Sequence, residues 1–192
     1  DQLTPIETSR ETATNIAPIN EVLAAGMLLL SGWEGQGHFI DPMCGSGTIL
    51  AEAAMIACNI PANLNRKEFA FEKWIDWDND LFDQITDSLL KKVKEFHYTI
   101  QGHDKAPSAV AKAKDNIKNA NLDEYVTISE KNFFDTEKTT QGPLHMVFNP
   151  PYGERLDIEM ERFYKDIGDT LKQSYPGTNA WFITANLEAL KF

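Results

Sequence analysis

Asn149-Pro150-Pro151-Tyr152 sets an amide, two residues of fixed φ and an aromatic ring side by side. The prolines bring no N–H donors, and Pro150 holds Asn149 extended. The carbonyls of so stiff a stretch point outward without partners of their own. An amide oxygen, a fixed carbonyl and a ring face together suit a flat group that bears an amine, with two acceptors for its N–H bonds and one surface for stacking. The plainer alternative is a proline turn after a strand, with Tyr152 packed on a neighbour. The surrounding residues decide between the two.

A second group of residues can hold a ligand beside that tetrapeptide. Asp41-Pro42-Met43-Cys44-Gly45-Ser46-Gly47-Thr48 runs from an acid through a glycine turn into an apolar helix. The glycines let the backbone come close to a ligand, and a helix start attracts negative charge. This is no Walker loop, because no Gly-Lys-Ser/Thr follows. It is a poor dinucleotide fingerprint, because Leu50 stands where a third glycine is expected. Asp104-Lys105 ends another apolar stretch, where an acid accepts both hydroxyls of a ribose or, alternatively, caps a helix. Asn132-Phe133 combines hydrogen bonding for the edge of an adenine with a ring for its face, although Phe133 and Phe134 suit the core equally well. Cys44 lies inside the glycine turn, where a thiol nucleophile is the weaker alternative. The four histidines show no metal-ligand spacing.

These residues need elements to position them. Leu144–Phe148 has the length and composition of a buried strand, so Asn149 follows a strand end. Gly37–Asp41 reads as a strand and Ile49–Ala57 as the helix after it. His97–Asp104 reads as a second strand, followed by a helix from Pro107 to about Asn121. Tyr125–Ser129 is a third strand and Ala180–Thr184 a fifth. Between the fourth and fifth lies a helix, Glu159–Ser174, with Met160, Phe163, Tyr164, Ile167 and Leu171 on one face. Pro18 suits the first turn of a covering helix over Val22–Leu30. Strands alternating with helices predict an α/β domain with a mostly parallel twisted sheet, helices on both faces and right-handed crossovers. Ligands of such sheets bind at the carboxyl ends of the strands, where Asp41, Asp104, Asn132 and Asn149 all stand. With no phosphate-gripping lysine and no metal cluster, a nucleoside cofactor without phosphates fits best, and S-adenosylmethionine is the foremost example.

The long connection at about 59–96 contains Phe69, Phe71, Trp74 and Trp77 and a helical stretch, Asp80–Phe96. Its aromatics either offer a base-stacking surface or, as is commoner, anchor an inserted helix to the core. Asp76, Asp78, Asp80 and Asp83 crowd the helix start, which suits the macrodipole.

Composition sets the outer limits. The chain has 192 residues, 42% hydrophobic and 24% charged, with two cysteines and a net charge of −11. This is enough for one domain with a substantial core. Two cysteines are no disulfide framework and fit a reducing cytoplasm. The longest apolar run, near Val22–Leu30, is too short to span a membrane. The acidic balance disfavours a broad nucleic-acid footprint on these residues, since phosphate contacts need clustered Lys and Arg.

The residues also carry a family resemblance. Asp41–Thr48, Asp104 and Asn149–Tyr152 together resemble class I methyltransferases acting on exocyclic amines. The fuller wording narrows this: Ala17-Pro-Ile-Asn-Glu21, Asp41–Ala54, Arg66–Trp74 with Phe69-Ala-Phe-Glu-Lys-Trp74, and Asn149–Leu156 resemble the bacterial 23S rRNA guanine-2-amine methyltransferases that carry a THUMP domain. The resemblance covers nearly the whole chain. It implies a Rossmann-like fold, S-adenosylmethionine as cofactor, and methyl transfer to the 2-amino group of a guanine in RNA, foremost 23S rRNA, in the cytoplasm. By it, Asn149, Pro150, Pro151 and Tyr152 serve the transfer. Asp41, Pro42, Met43, Cys44, Gly45, Ser46, Gly47, Thr48, Asp104, Lys105, Asn132, Phe133 and again Asn149 hold the cofactor. The organisation expected is an N-terminal segment with a covering helix over 1–36 and a methyltransferase core over 37–192, with the helical insert at about 59–96. The family's THUMP domain and its terminal antiparallel strand pair are not read in these residues, and RNA contact through a THUMP domain is expected from outside them. Asn-Pro-Pro-Tyr also serves tRNA guanine, DNA adenine and glutamine acceptors. A dinucleotide-dependent oxidoreductase and a non-catalytic RNA-binding module are the readings from other classes. No membrane and no metal are expected.

Overall fold

Residues 18–64, 66–151 and 157–184 are described by the computed structural model of the chain. Five short strands form one sheet: β1 (His38–Asp41), β2 (Ile100–Asp104), β3 (Val126–Glu130), β4 (Leu144–Phe148) and β5 (Thr178–Phe182). All neighbours are parallel, in the order β3-β2-β1-β4-β5. The α/β fold with a parallel sheet is therefore as the alternation of elements predicts. β4 is buried at every position, which is why it reads in sequence as an unbroken apolar run. Strand order reverses between β1 and β4, and this reversal marks where an open α/β sheet offers a crevice to a ligand.

Alternating side chains build a core on each face of the sheet. On one face, Phe39, Ile100, Val126, Ile128 and Val147 meet α1 (Glu21–Leu30), α2 (Thr48–Cys58) and α4 (Pro107–Asn119) through Ala24, Leu28, Leu50, Ala53, Ala113 and Ile117. On the other, Ile40, Leu144, Met146 and Phe148 meet Phe133 and α5 (Asp157–Ser174) through Met160, Tyr164 and Ile167. α1 packs its Ala24 and Leu28 into the same core as α2. Its N-cap Asn20 accepts the Val22 and Leu23 N–H groups, and Ala24 and Leu28 are fully buried. The turn after it is fixed by Trp33, whose Nε1 donates to the Ala53 carbonyl at 3.0 Å while its ring lies 4.9 Å from that of Phe39. Buried His145 ties the same turn to β5. Ser31 donates its hydroxyl proton to the Leu28 carbonyl, so Nε2 of His145 donates to Ser31 Oγ, and Nδ1 accepts from the Asn179 amide. No helix among the described residues is long and apolar enough to cross a membrane.

The insert departs from its predicted form. Its helix, α3, spans Asn79–Leu90 and stops six residues before the predicted end at Phe96. It starts where Asp78 accepts the Leu81 N–H. It ends because Lys92 and Val93 tighten to bonds three residues back, and the Lys94 N–H leaves for the Cys58 carbonyl at the end of α2. Asn59 completes the clamp by donating to the Lys92 carbonyl. No residue of α3 is buried. The insert aromatics therefore do not anchor the helix to the core. They pack on one another at tilted angles instead, with Phe71–Trp77 at 5.3 Å and Trp77–Phe82 at 5.2 Å, and leave Trp74 68% exposed.

Two strands are also displaced from their predicted spans. β2 begins at Ile100 rather than His97, because its partner β1 is only four residues long and pairs from Phe39 with Ile100. β5 lies two residues earlier than Ala180–Thr184, since it starts directly after the left-handed Gly177 and pairs Thr178 with Leu144. Its half-exposed polar residues hide an edge strand from an apolar-run search.

Candidate functional site

The strand ends gather the predicted residues at one edge of the sheet. After β1 the chain turns through Pro42–Gly47 into α2. Gly45 and Gly47 both take positive φ, +53° and +82°, which only glycine adopts freely. Gly47 is the N-cap of α2, and no side chain caps that helix. The N–H groups of Ser46, Thr48, Ile49 and Leu50 thus have no partner among the described residues, so the helix start presents donors to a ligand. Ser46 and Thr48 hydroxyls pair with each other at 3.2 Å.

Most of the turn is pinned by hydrogen bonds from its neighbours. The Met43 N–H donates to Asp41 Oδ1, the Cys44 N–H to the His103 carbonyl, the Gly45 N–H to Asp104 Oδ2, and the Gly47 N–H to the Cys44 carbonyl. Asn116 of α4 donates from Nδ2 to the Ser46 carbonyl at 2.9 Å. Asn116 belongs to no recognisable sequence motif. Its partner lies 70 positions away, and no local pattern signals such a bond.

The two acids differ in situation. Asp41 is 1% exposed. Burial pushes its carboxyl up to about 8, the Met43 N–H opposes this, and the nearby Asp104 adds to it. Asp41 closes the turn through the Met43 N–H that its carboxyl accepts. Asp104 is half-buried, with one oxygen on Gly45 N–H and the other accepting from Ala106 N–H at the approach to α4. The alternative reading of Asp104 as a cap is not met: it stands two residues before the N-cap Ala106, whose N–H it accepts, and no side chain caps α4. Lys105 beside it is exposed. Cys44 is buried, and burial pushes its thiol up, the opposite of what a thiolate nucleophile requires.

At the end of β3, the Lys131 N–H donates to the Asp104 carbonyl and so holds the next loop against β2. Asn132 Nδ2 is engaged with Asp135 Oδ2 at 2.8 Å and its backbone carbonyl accepts the Asp135 N–H, so only its side-chain oxygen is left without a partner among the described residues. Phe133 is 2% exposed and packs on Phe148 and Tyr175, so it is a core ring here. Phe134 is half-buried against Phe163.

Asn149 follows β4, next to β1 across the strand reversal. Its Oδ1 is buried and has no hydrogen-bond partner, a condition shared among the described residues only by the Thr140 and Thr178 hydroxyls. Leaving such an acceptor unsatisfied costs about 1–3 kcal/mol. Pro150 is buried and Pro151 half-buried. Tyr152 and Gly153–Leu156 lie outside the described residues. A cavity of about 210 Å³, lined by Ile40, Gln101, His103, Lys131 and Thr140, opens elsewhere and includes neither the glycine turn nor Asn149.

The arrangement has the parts for holding a nucleoside with an attached chain: a glycine turn with free N–H donors, an acid on the neighbouring strand, and an unsatisfied amide oxygen across the strand reversal. Comparison with known proteins agrees. Residues 9–192 match the RMKL-like methyltransferase domain. The chain is 37% identical over 186 residues to the ribosomal RNA large subunit methyltransferase K/L of Cellvibrio japonicus, covering 90% of this chain and 25% of that protein. It is 37% identical over 188 residues to the protein of the same name from Shewanella loihica, covering 93% and 26%. The chain thus spans about a quarter of the length of the curated relatives it matches. Among solved structures, SMU.472, assigned as a methyltransferase and complexed with SAH, superposes with a TM-score of 0.83 at 32% identity, over 92% of this chain and 47% of that one.

Proposed function

Because this chain belongs to the RMKL-like methyltransferase domain family, we propose that it transfers the methyl group of S-adenosylmethionine to the exocyclic 2-amino group of a guanine in 23S rRNA, in the cytoplasm. The observation that carries the reading is the buried, unpartnered Oδ1 of Asn149. An amine hydrogen of the acceptor base supplies the donor it lacks. The names of the relatives support large-subunit rRNA as the substrate.

The residues present fit the cofactor. The free N–H groups at the start of α2 suit the polar end of its amino-acid chain. Asp104 suits the ribose hydroxyls, and the side-chain oxygen of Asn132 an adenine amine. The turn from Asp41 to Thr48 and the Asp104-Lys105 and Asn132-Phe133 segments form the cofactor side, where Asp41 and Phe133 act from within the core. When bound, S-adenosylmethionine supplies an electrophilic methyl group.

The chain's own groups do the positioning. A guanine amine is out of reach inside a helix, so the base is flipped into the site. Asn149 Oδ1 and the Pro150 carbonyl accept the two amine hydrogens, which turns the nitrogen lone pair toward the methyl carbon. Pro151 keeps the stretch stiff, and Tyr152 stacks on the base. The cofactor held by these residues would supply the methyl group in exchange for one amine proton, which would leave to water. The rate gain is orientation plus stabilisation of positive charge on the nitrogen, and no strong base is needed. The net charge of −11 leaves the phosphate contacts to another part of the protein, a THUMP domain by the resemblance.

The test is transfer of labelled methyl from S-adenosylmethionine to purified 23S rRNA, followed by digestion to nucleosides. Label in N2-methylguanosine supports the reading. Label in another nucleoside, or only in tRNA or DNA, overturns the acceptor, and failure to bind the cofactor overturns the chemistry.

A further inference from the structure

We propose that Asn116 is a positioning residue for cofactor binding, acting through the peptide plane between Ser46 and Gly47 and not by contact with the cofactor. The inference rests on the reading of the glycine turn as the S-adenosylmethionine site. That peptide plane is held from both ends. Its carbonyl oxygen, on Ser46, accepts from Asn116 Nδ2 at 2.9 Å, and its N–H, on Gly47, donates to the Cys44 carbonyl at 2.8 Å. The plane before last is held in the same manner: the Cys44 carbonyl accepts from Gly47, and the Gly45 N–H donates to Asp104. Between the two, the Ser46 N–H has no partner among the described residues, and neither do those of Thr48, Ile49 and Leu50.

The Asn116 bond fixes the peptide plane that links the Ser46 N–H to those of Thr48, Ile49 and Leu50. A trans peptide points its carbonyl and its N–H in opposite directions, so fixing the Ser46 carbonyl toward α4 fixes the Gly47 N–H away from it. Both glycines of the turn have positive φ and permit other arrangements at little cost. Rotation of this plane is therefore restrained chiefly by its two hydrogen bonds. α4 also approaches closely one turn earlier: a Cβ built on Gly47 would stand 3.3 Å from the Ala113 Cβ. Ala113 is fully buried and Asn116 half-buried. Three residues apart on one helix face, they make a platform on which the turn rests, with the small residue admitting the backbone and the amide aligning it.

The test compares wild-type protein with Asn116→Ala, Asn116→Asp and, as a control at an exposed position of the same helix, Asn119→Ala. Asn116→Asp keeps the shape and sets an oxygen where the donor stood, so it speaks even if the alanine variant folds poorly. Two readouts apply. In ligand-free protein, hydrogen exchange of the Gly47 amide speeds up at least tenfold in both Asn116 variants, while the α4 amides keep their protection. By calorimetry with S-adenosylhomocysteine, both Asn116 variants bind at least tenfold more weakly than wild type and Asn119→Ala binds within twofold. A purely structural role predicts a lowered melting temperature and uniformly faster exchange, and that pattern overturns the proposal. So does wild-type affinity in Asn116→Asp. If the wild-type protein binds no S-adenosylhomocysteine, the cofactor reading fails and the proposal with it. If wild type binds and the variants bind equally, the proposal alone fails.

Discussion

Asp104 and Gly45, 59 positions apart, are joined by a 3.0 Å hydrogen bond in which the Gly45 N–H donates to Asp104 Oδ2. The bond runs between neighbouring strands, from the turn after β1 to the end of β2. The acid assigned to the ribose is thus also a brace for the turn beside it. Substituting Asp104→Ala removes the acceptor for both Gly45 and Ala106 N–H groups. We expect S-adenosylhomocysteine affinity to fall at least tenfold and stability to drop by about 1–2 kcal/mol. Calorimetric titration and denaturant unfolding check the two effects, and unchanged affinity would sink the assignment.

Asn149 has the opposite signature. Its buried oxygen has no partner among the described residues, and on the proposed reading the acceptor base supplies the missing donor. Asn149→Ala is expected to lower turnover by about 10²- to 10³-fold, in the range found for loss of one group that stabilises charge in a transition state. Cofactor affinity should change far less, and melting temperature should hold or rise. Equal losses in turnover and affinity would count against the role in orienting the amine.

Asp41 predicts a pH dependence of stability. Its folded pKa, raised by burial from 3.8 to about 8, lies above its unfolded value, so the folded state binds the proton more tightly. The stability it contributes is fully present below about pH 4 and is lost as pH rises toward 8, at up to about 1.4 kcal/mol per pH unit. Asp41→Asn keeps an oxygen for the Met43 N–H and removes the titration. Thermal melts of wild type should fall relative to Asp41→Asn between pH 5 and 8. Parallel curves would show that Asp41 is not held protonated.

The sequence is most legible where one residue type has one physical use. β4 is buried on both faces, so it reads as a run of apolar residues ending at Asn149. The strand, glycine turn and helix around Gly45 and Gly47 are equally plain, because a left-handed turn before a helix leaves glycine at fixed positions. Edges and long-range bonds are less legible. The first residues of β5, Thr178 and Asn179, are polar and read as loop until Leu144 and His145 are seen beside them. The insert helix keeps a helical pattern past Leu90, but the Cys58 carbonyl takes the Lys94 N–H and stops it. The aromatics from Phe69 to Phe82 have the composition of a core anchor. Only the fold reveals that they pack on themselves and that α3 buries nothing. Asn116 is invisible in the sequence for the same reason, since its meaning lies in a carbonyl on another element.

The most direct measurement takes the source organism with this gene deleted and digests its purified 23S rRNA and tRNA to nucleosides. Mass spectrometry then quantifies guanosine methylated on the 2-amino group. The proposed activity predicts a loss confined to 23S rRNA, restored by the wild-type gene and not by one encoding Asn149→Ala. A loss confined to tRNA would contradict the substrate, and unchanged N2-methylguanosine in both pools would contradict guanine as the acceptor.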